Sequence, residues 1–203
     1  RDLKEGVAYV WTSPLMQAAM WVAFLATLKA FTLSNGLLPY IAKEVYGNDQ
    51  TGLGYLSASF AVGSLTASIL MSMTRGVPVA RLMIVGTALW YGMLLAFAQV
   101  HTVPFAMAFL MLAGFAQSLS MISVLVLILR TASEHFRGRV MGVRMLAIYS
   151  LPLGLLAAGN LIDRIGFVAT ATLFAIVGLL LIGAIALRWR ADLWHIDAPA
   201  NTR

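Results

Sequence analysis

Six long apolar runs alternate with short polar connections along the chain. They are predicted at Pro14–Tyr40, Gly52–Thr74, Val79–Val100, Pro104–Leu129, Val140–Ile162 and Gly166–Leu187. Each holds roughly 20–27 residues, enough to cross about 30 Å of hydrocarbon with some tilt. A soluble core helix of that length would show a polar stripe, and these mostly do not. The pattern predicts an all-α polytopic membrane protein. Residues 1–13, RDLKEGVAYVWTS, form an amphipathic lead-in at the membrane surface, with Tyr9 and Trp11 at headgroup depth. Residues 14–188 form the six-helix bundle and residues 189–203 a tail.

Small residues recur every four positions at Ser59, Gly63 and Ala67, and again at Gly154 and Ala158. That spacing lets helix backbones approach closely in lipid. It predicts a bundle and nothing more specific.

Polar side chains inside the runs are few. Lys29 is the one charge deep in a span. Counted along the helix it lies about 20 Å into the core, roughly 5 Å past the midplane. A central lysine costs about 2.5–3.5 kcal/mol on insertion scales. It either faces a polar cavity or snorkels to the interface along its flexible stem. It shares a helix face with Leu25, Thr32 and Gly36, and the adjacent Asn35-Gly36 loosens the helix. In the fourth run Gly114, Gln117, Ser120 and Ser123 make a slowly rotating polar stripe. It serves either as hydrogen-bonding glue between helices or as a substrate contact. Tyr149 and Pro152 predict a kink with a polar handle in the fifth run. The third and sixth runs carry the least polarity and can face lipid. The contrast of first and fourth runs with third and sixth hints at a 3+3 internal repeat.

Charge sets the orientation. Arg1, Lys4, Arg75, Arg81, Arg130, Arg137, Arg139, Arg144, Arg188, Arg190 and Arg203 all fall at one end of the alternating runs, eleven of the 14 basic residues. Basic loops are retained in the cytoplasm, so both termini are expected there. The formal charge of +6 is thereby a matter of topology, and no nucleic-acid partner is expected. Only 11% of the residues are charged, against about 25% in soluble domains. There is no cysteine, which removes disulfides, thiolate metal sites and a cysteine nucleophile. His101, His135 and His195 lie in three separate segments and suggest no metal site. No cofactor is expected. No nucleophile–base pair or phosphate loop stands out, so an enzyme is not expected. The chain starts at Arg1, with no signal-peptide pattern, and the missing initiator Met suggests a fragment or a processed chain.

Three stretches carry a resemblance. EGVAYVWTSPLM, FRGRVMGV and PLGLLAAGNLIDRIG resemble the entry to the seventh helix, the link between the tenth and eleventh, and the eleventh helix in major facilitator transporters. The likeness is to the bacterial branch that exports enterobactin and macrolides. It covers essentially residues 1–190 and implies the C-terminal six-helix half of such a transporter. It also implies a bacterial inner-membrane location, a small-molecule substrate and a partner, either an N-terminal six-helix half or a second copy. The family's first and fourth helices of each half line the central cavity. That matches the positions of Lys29 and Gln117, and with the other polar residues of these two runs and the tyrosine of the fifth the substrate-cavity candidates are Lys29, Thr32, Asn35, Gln117, Ser120 and Tyr149. The family's cytoplasmic latch corresponds here to SMTRGVPVAR, which keeps Arg75, Gly76 and Arg81 but lacks an acidic residue. With Arg137, Gly138 and Arg139, Arg75 and Arg81 are the candidates for a cytoplasmic gate or for lipid headgroups. No Asp or Glu lies deep in a run, so a proton-coupling carboxylate is not visible. That absence leaves a second expectation, a non-transporting membrane partner that keeps the half-bundle.

Overall fold

A computed structural model of the chain describes residues 2–47, 50–74 and 76–195. The described residues are helical with turns and contain no strand. A lead-in helix, Asp2–Thr12, precedes six helices long and apolar enough to cross a membrane. The spans run Pro14–Val45, Gln50–Met73, Val79–Ala98, Val103–Thr131, Glu134–Ile165 and Phe167–Arg188. A short helix, Arg190–His195, follows.

The starts and stops follow local chemistry. Ser13 caps the first span, its hydroxyl accepting the Met16 N–H at 3.5 Å, and Pro14 occupies the first turn, where no N–H is needed. Proline likewise lies in the first turn of the fourth span and of the second part of the fifth. Gly166 separates the fifth and sixth spans with φ +81°, a conformation a side chain would resist.

Backbone proximity holds the bundle together. A side chain at Gly63 would run into the carbonyl of Met111, and one at Gly114 into the carbonyl of Phe60. The second and fourth spans therefore touch backbone to backbone, as the spacing around Gly63 predicts. Gly154 does the same for the fifth span, lying against the Leu28 carbonyl and the Thr32 hydroxyl of the first. The third span wedges between the fourth and sixth with Trp90, Tyr91 and Leu94 buried. Its Tyr91 hydroxyl donates to the Leu25 carbonyl at 2.7 Å.

Two expectations change here. The third span buries much of its surface, while the sixth exposes Leu173, Ile176, Leu180 and Leu187, as the second and fifth expose Leu65, Ile69, Leu153 and Leu156. The bulky aromatic residues of the third span give it a packing role that low polarity alone does not reveal. Arg137, Gly138 and Arg139, expected in a loop, are helical. The connection after the fourth span is only Ala132–Ser133. The Ser133 carbonyl accepts the N–H groups of Phe136 and Arg137 at 3.0 and 3.1 Å, so the helix starts at Glu134.

Candidate functional site

The first span is the irregular one. From Ala26 to Gly36 it is wound as a π-helix, and again from Ile41 to Val45, with one α-helical turn between. This wide winding is uncommon and concentrates at functional sites. Asn35-Gly36 sits where the first wide segment ends, close to the predicted loosening. Hydroxyls bind within the segment: Thr32 donates to the Leu28 carbonyl at 3.0 Å and Ser34 to the Ala30 carbonyl at 2.9 Å.

Lys29 lies in this segment and is half-buried. Its Nζ sits over the Phe174 ring of the sixth span, 4.9 Å from the centroid. The aromatic face attracts the ammonium by its quadrupole, worth about 0.5–2 kcal/mol. The charge is therefore aimed at the sixth span. No spacing rule in the sequence pairs Lys29 with Phe174.

The other cavity candidates do not converge with Lys29 on one point. Thr32 is buried against Gly154. Asn35 donates to the Ser34 hydroxyl at 3.0 Å and is half-buried. Gln117 accepts from Ser64 of the second span at 3.3 Å, and Ser64 also reaches the Gly114 carbonyl at 3.0 Å. Ser120 is buried and shares a 2.5 Å hydrogen bond with Thr87 of the third span. The polar stripe of the fourth span thus has partners on two neighbouring helices. Ser123 ends it buried, its hydroxyl with no hydrogen-bond partner. Tyr149 is 74% exposed, in the turn that breaks the fifth span at Tyr149–Ser150 ahead of Pro152. The kink expected from Tyr149 and Pro152 is this break.

At the basic end the lead-in helix docks onto the start of the fifth span. Glu5 and Arg139 pair at 3.2 Å. Tyr9 stacks on Phe136 with centroids 4.3 Å apart and rings nearly parallel. The Tyr9 hydroxyl donates to Ser133 Oγ at 3.4 Å and accepts the Ser133 N–H at 3.1 Å. These hydrogen bonds, the side-chain one foremost, hold the phenol below its ordinary pKa. The Arg139 guanidinium also lies 5.4 Å from the Phe136 ring centroid. Gly6 permits the contact, since a side chain there would meet the Arg139 carbonyl at 2.9 Å. Arg137 turns the other way and pairs with Glu134 at 3.8 Å. Gly138 faces open space, Arg81 is exposed near the start of the third span, and Arg75 lies outside the described residues. The lead-in is therefore a packed element. The signal for it was Glu5, Gly6 and Tyr9 at helical spacing, matched by Phe136 and Arg139.

Among the described residues no group of His, Asp and Glu could hold a metal ion.

The family model of the Major Facilitator Superfamily matches residues 19–199. The chain belongs to this superfamily. Its six spans form one half-bundle of the major facilitator type, and the protein is an integral membrane protein. The chain is also similar to the multidrug efflux pump Tap of Mycolicibacterium fortuitum, with 26% identity over 184 residues. That alignment covers 90% of this chain and 44% of the relative, so the chain spans less than half the length of the protein it matches.

Proposed function

We propose that this chain is one six-helix half of a secondary transporter that exports small amphipathic molecules by alternating access. Superfamily membership supports transport, and the similarity to a multidrug efflux pump supports export. The observation that carries the reading is Lys29, a cation held in mid-span within a widely wound segment of an otherwise apolar helix. A charge at that depth is costly and marks a substrate or ion pathway by default. Its partner, Phe174, is a ring that a competing anion can displace. Lys29 attracts an anionic group of the substrate, with Asn35, Gln117 and Tyr149 along the translocation path and the buried Thr32 and Ser120 packing the helices behind it. The other cavity wall comes from an N-terminal six-helix half or a second copy. Both termini lie in the cytoplasm of a bacterium, with the bundle in its inner membrane. Arg75, Arg81, Arg137, Gly138 and Arg139 then form the inner gate or meet lipid headgroups.

The test is transport by the intact carrier in proteoliposomes. Lys29→Ala should cut movement of anionic amphiphiles while membrane insertion stays normal. Unchanged transport would remove Lys29 from the mechanism.

A second reading has its own support. Gln117 and Ser120 hydrogen-bond inside the bundle, as interhelical glue would. A non-transporting membrane partner would need only that, and its first and fourth spans would pack against another protein and exclude water.

A further inference from the structure

A trough of about 460 Å³ runs between the first and sixth spans at the basic end of the bundle. Its deep part is apolar, walled by Trp21, Leu25, Leu181, Ala184 and Ile185. Its mouth is formed by Arg188 and Trp189. The Arg188 guanidinium lies 5.6 Å from the Trp189 ring centroid. From Leu181 to Arg188 the sixth span rises about 10 Å, so apolar wall and cationic mouth follow one another along the membrane normal. The mouth has a fixed shape. Leu193 of the terminal helix is fully buried, and its N–H binds the Trp189 carbonyl at 2.9 Å. Arg190 and Asp192 are exposed beyond it, so Arg188 is the charged group in the trough lining.

We infer that this trough holds one anionic phospholipid, its acyl chain along Leu25, Leu181 and Ile185 and its phosphate on Arg188. The order of chemistries selects this occupant. A free phosphate has no use for an apolar trough, and a cationic amphiphile would meet Arg188. A zwitterionic lipid would bring its own cation beside the arginine. Guanidinium suits phosphate because its forked donors match the oxygens, and Trp189 supplies an amphipathic ring at headgroup depth. The inference requires only that the bundle sits in a bilayer, and it stands or falls apart from the transport reading.

The experiment places the intact carrier, with Trp21 and Trp189 as its only tryptophans, in bilayers containing brominated phosphatidylglycerol or brominated phosphatidylcholine. Bromine quenches an indole it touches. Phosphatidylglycerol should quench at lower mole fraction, with a preference of roughly fivefold for one lysine- or arginine-scale contact at the surface. Arg188→Gln should bring the preference close to one, and Arg188→Lys should keep most of it. Ala184→Phe fills the trough and should reduce quenching by both lipids. Equal quenching by the two lipids in the parent protein would overturn the inference, as would a preference that survives Arg188→Gln. Quenching by neither lipid would mean that protein covers the trough, and would overturn it too.

Discussion

Lys29→Met isolates what the lysine costs the bundle. At roughly 5 Å from the midplane the ammonium costs about 2.5 kcal/mol, the low end for a central lysine. Phe174, 4.9 Å below it, offsets about 1 kcal/mol of this. The net cost is therefore ~1.5 kcal/mol, and methionine keeps the stem while removing it. A gain of that size should raise the unfolding midpoint by about 3–6 °C for a bundle of this length. Phe174→Leu measures the ring's share. In the parent protein it removes both packing and cation–π attraction, and in the Lys29→Met variant packing alone. The packing loss cancels across the double-mutant cycle, leaving a coupling of about 1 kcal/mol. The assay is thermal unfolding of the four proteins in one detergent, read by exposure of a buried fluorophore. A Lys29→Met variant less stable than its parent would refute the reasoning. So would a coupling near zero, which would mean that the ammonium reaches water and ignores the ring.

Two further outcomes follow from the packing. Gly114→Ala places a methyl against the Phe60 carbonyl, so the second and fourth spans must part. The cost should be about 1–3 kcal/mol, whereas Gly54→Ala, helical and facing open space, should hold the midpoint or raise it slightly. Glu5→Arg should unseat the lead-in helix by opposing Arg139, and the Glu5→Arg/Arg139→Glu pair should restore it. Protease cleavage within residues 1–13 reads the docking, and equal cleavage in all three proteins would show that the 3.2 Å pair holds nothing.

The six spans were legible because hydrocarbon makes one demand on every residue between the interfaces, and the sequence answers it without ambiguity. Most of their ends fell within three residues because Pro14, Pro104 and Gly166 act through local backbone geometry, but the first span runs on to Val45 and the fifth starts at Glu134, five and six residues beyond the expected Tyr40 and Val140. The break at Tyr149 was legible for the same reason. Partner choice was not. Ser120 pairs with Thr87 and Lys29 with Phe174 only because of how each helix is rotated about its axis. Rotation is fixed by contacts such as Gly63 on Met111 and Gly154 on Leu28, which belong to pairs of helices. The winding of Ala26–Gly36 was foreshadowed only at Asn35-Gly36, since a π-turn has no composition of its own. Arg137 and Arg139 were misplaced into a loop because charge near an apolar run suggests a boundary. The helix begins five residues before Arg139 because Glu134 and its neighbours sustain it beyond the apolar region.

The proposed alternating access requires the widely wound first span to face each side of the membrane in turn. This chain has no cysteine, so Asn35→Cys can be placed in the intact carrier, with any cysteine elsewhere replaced, as a single reporter. Labelling by a membrane-impermeant thiol reagent should occur from either side, and substrate should slow it. Labelling from neither side would contradict the account and favour a half-bundle sealed against a partner.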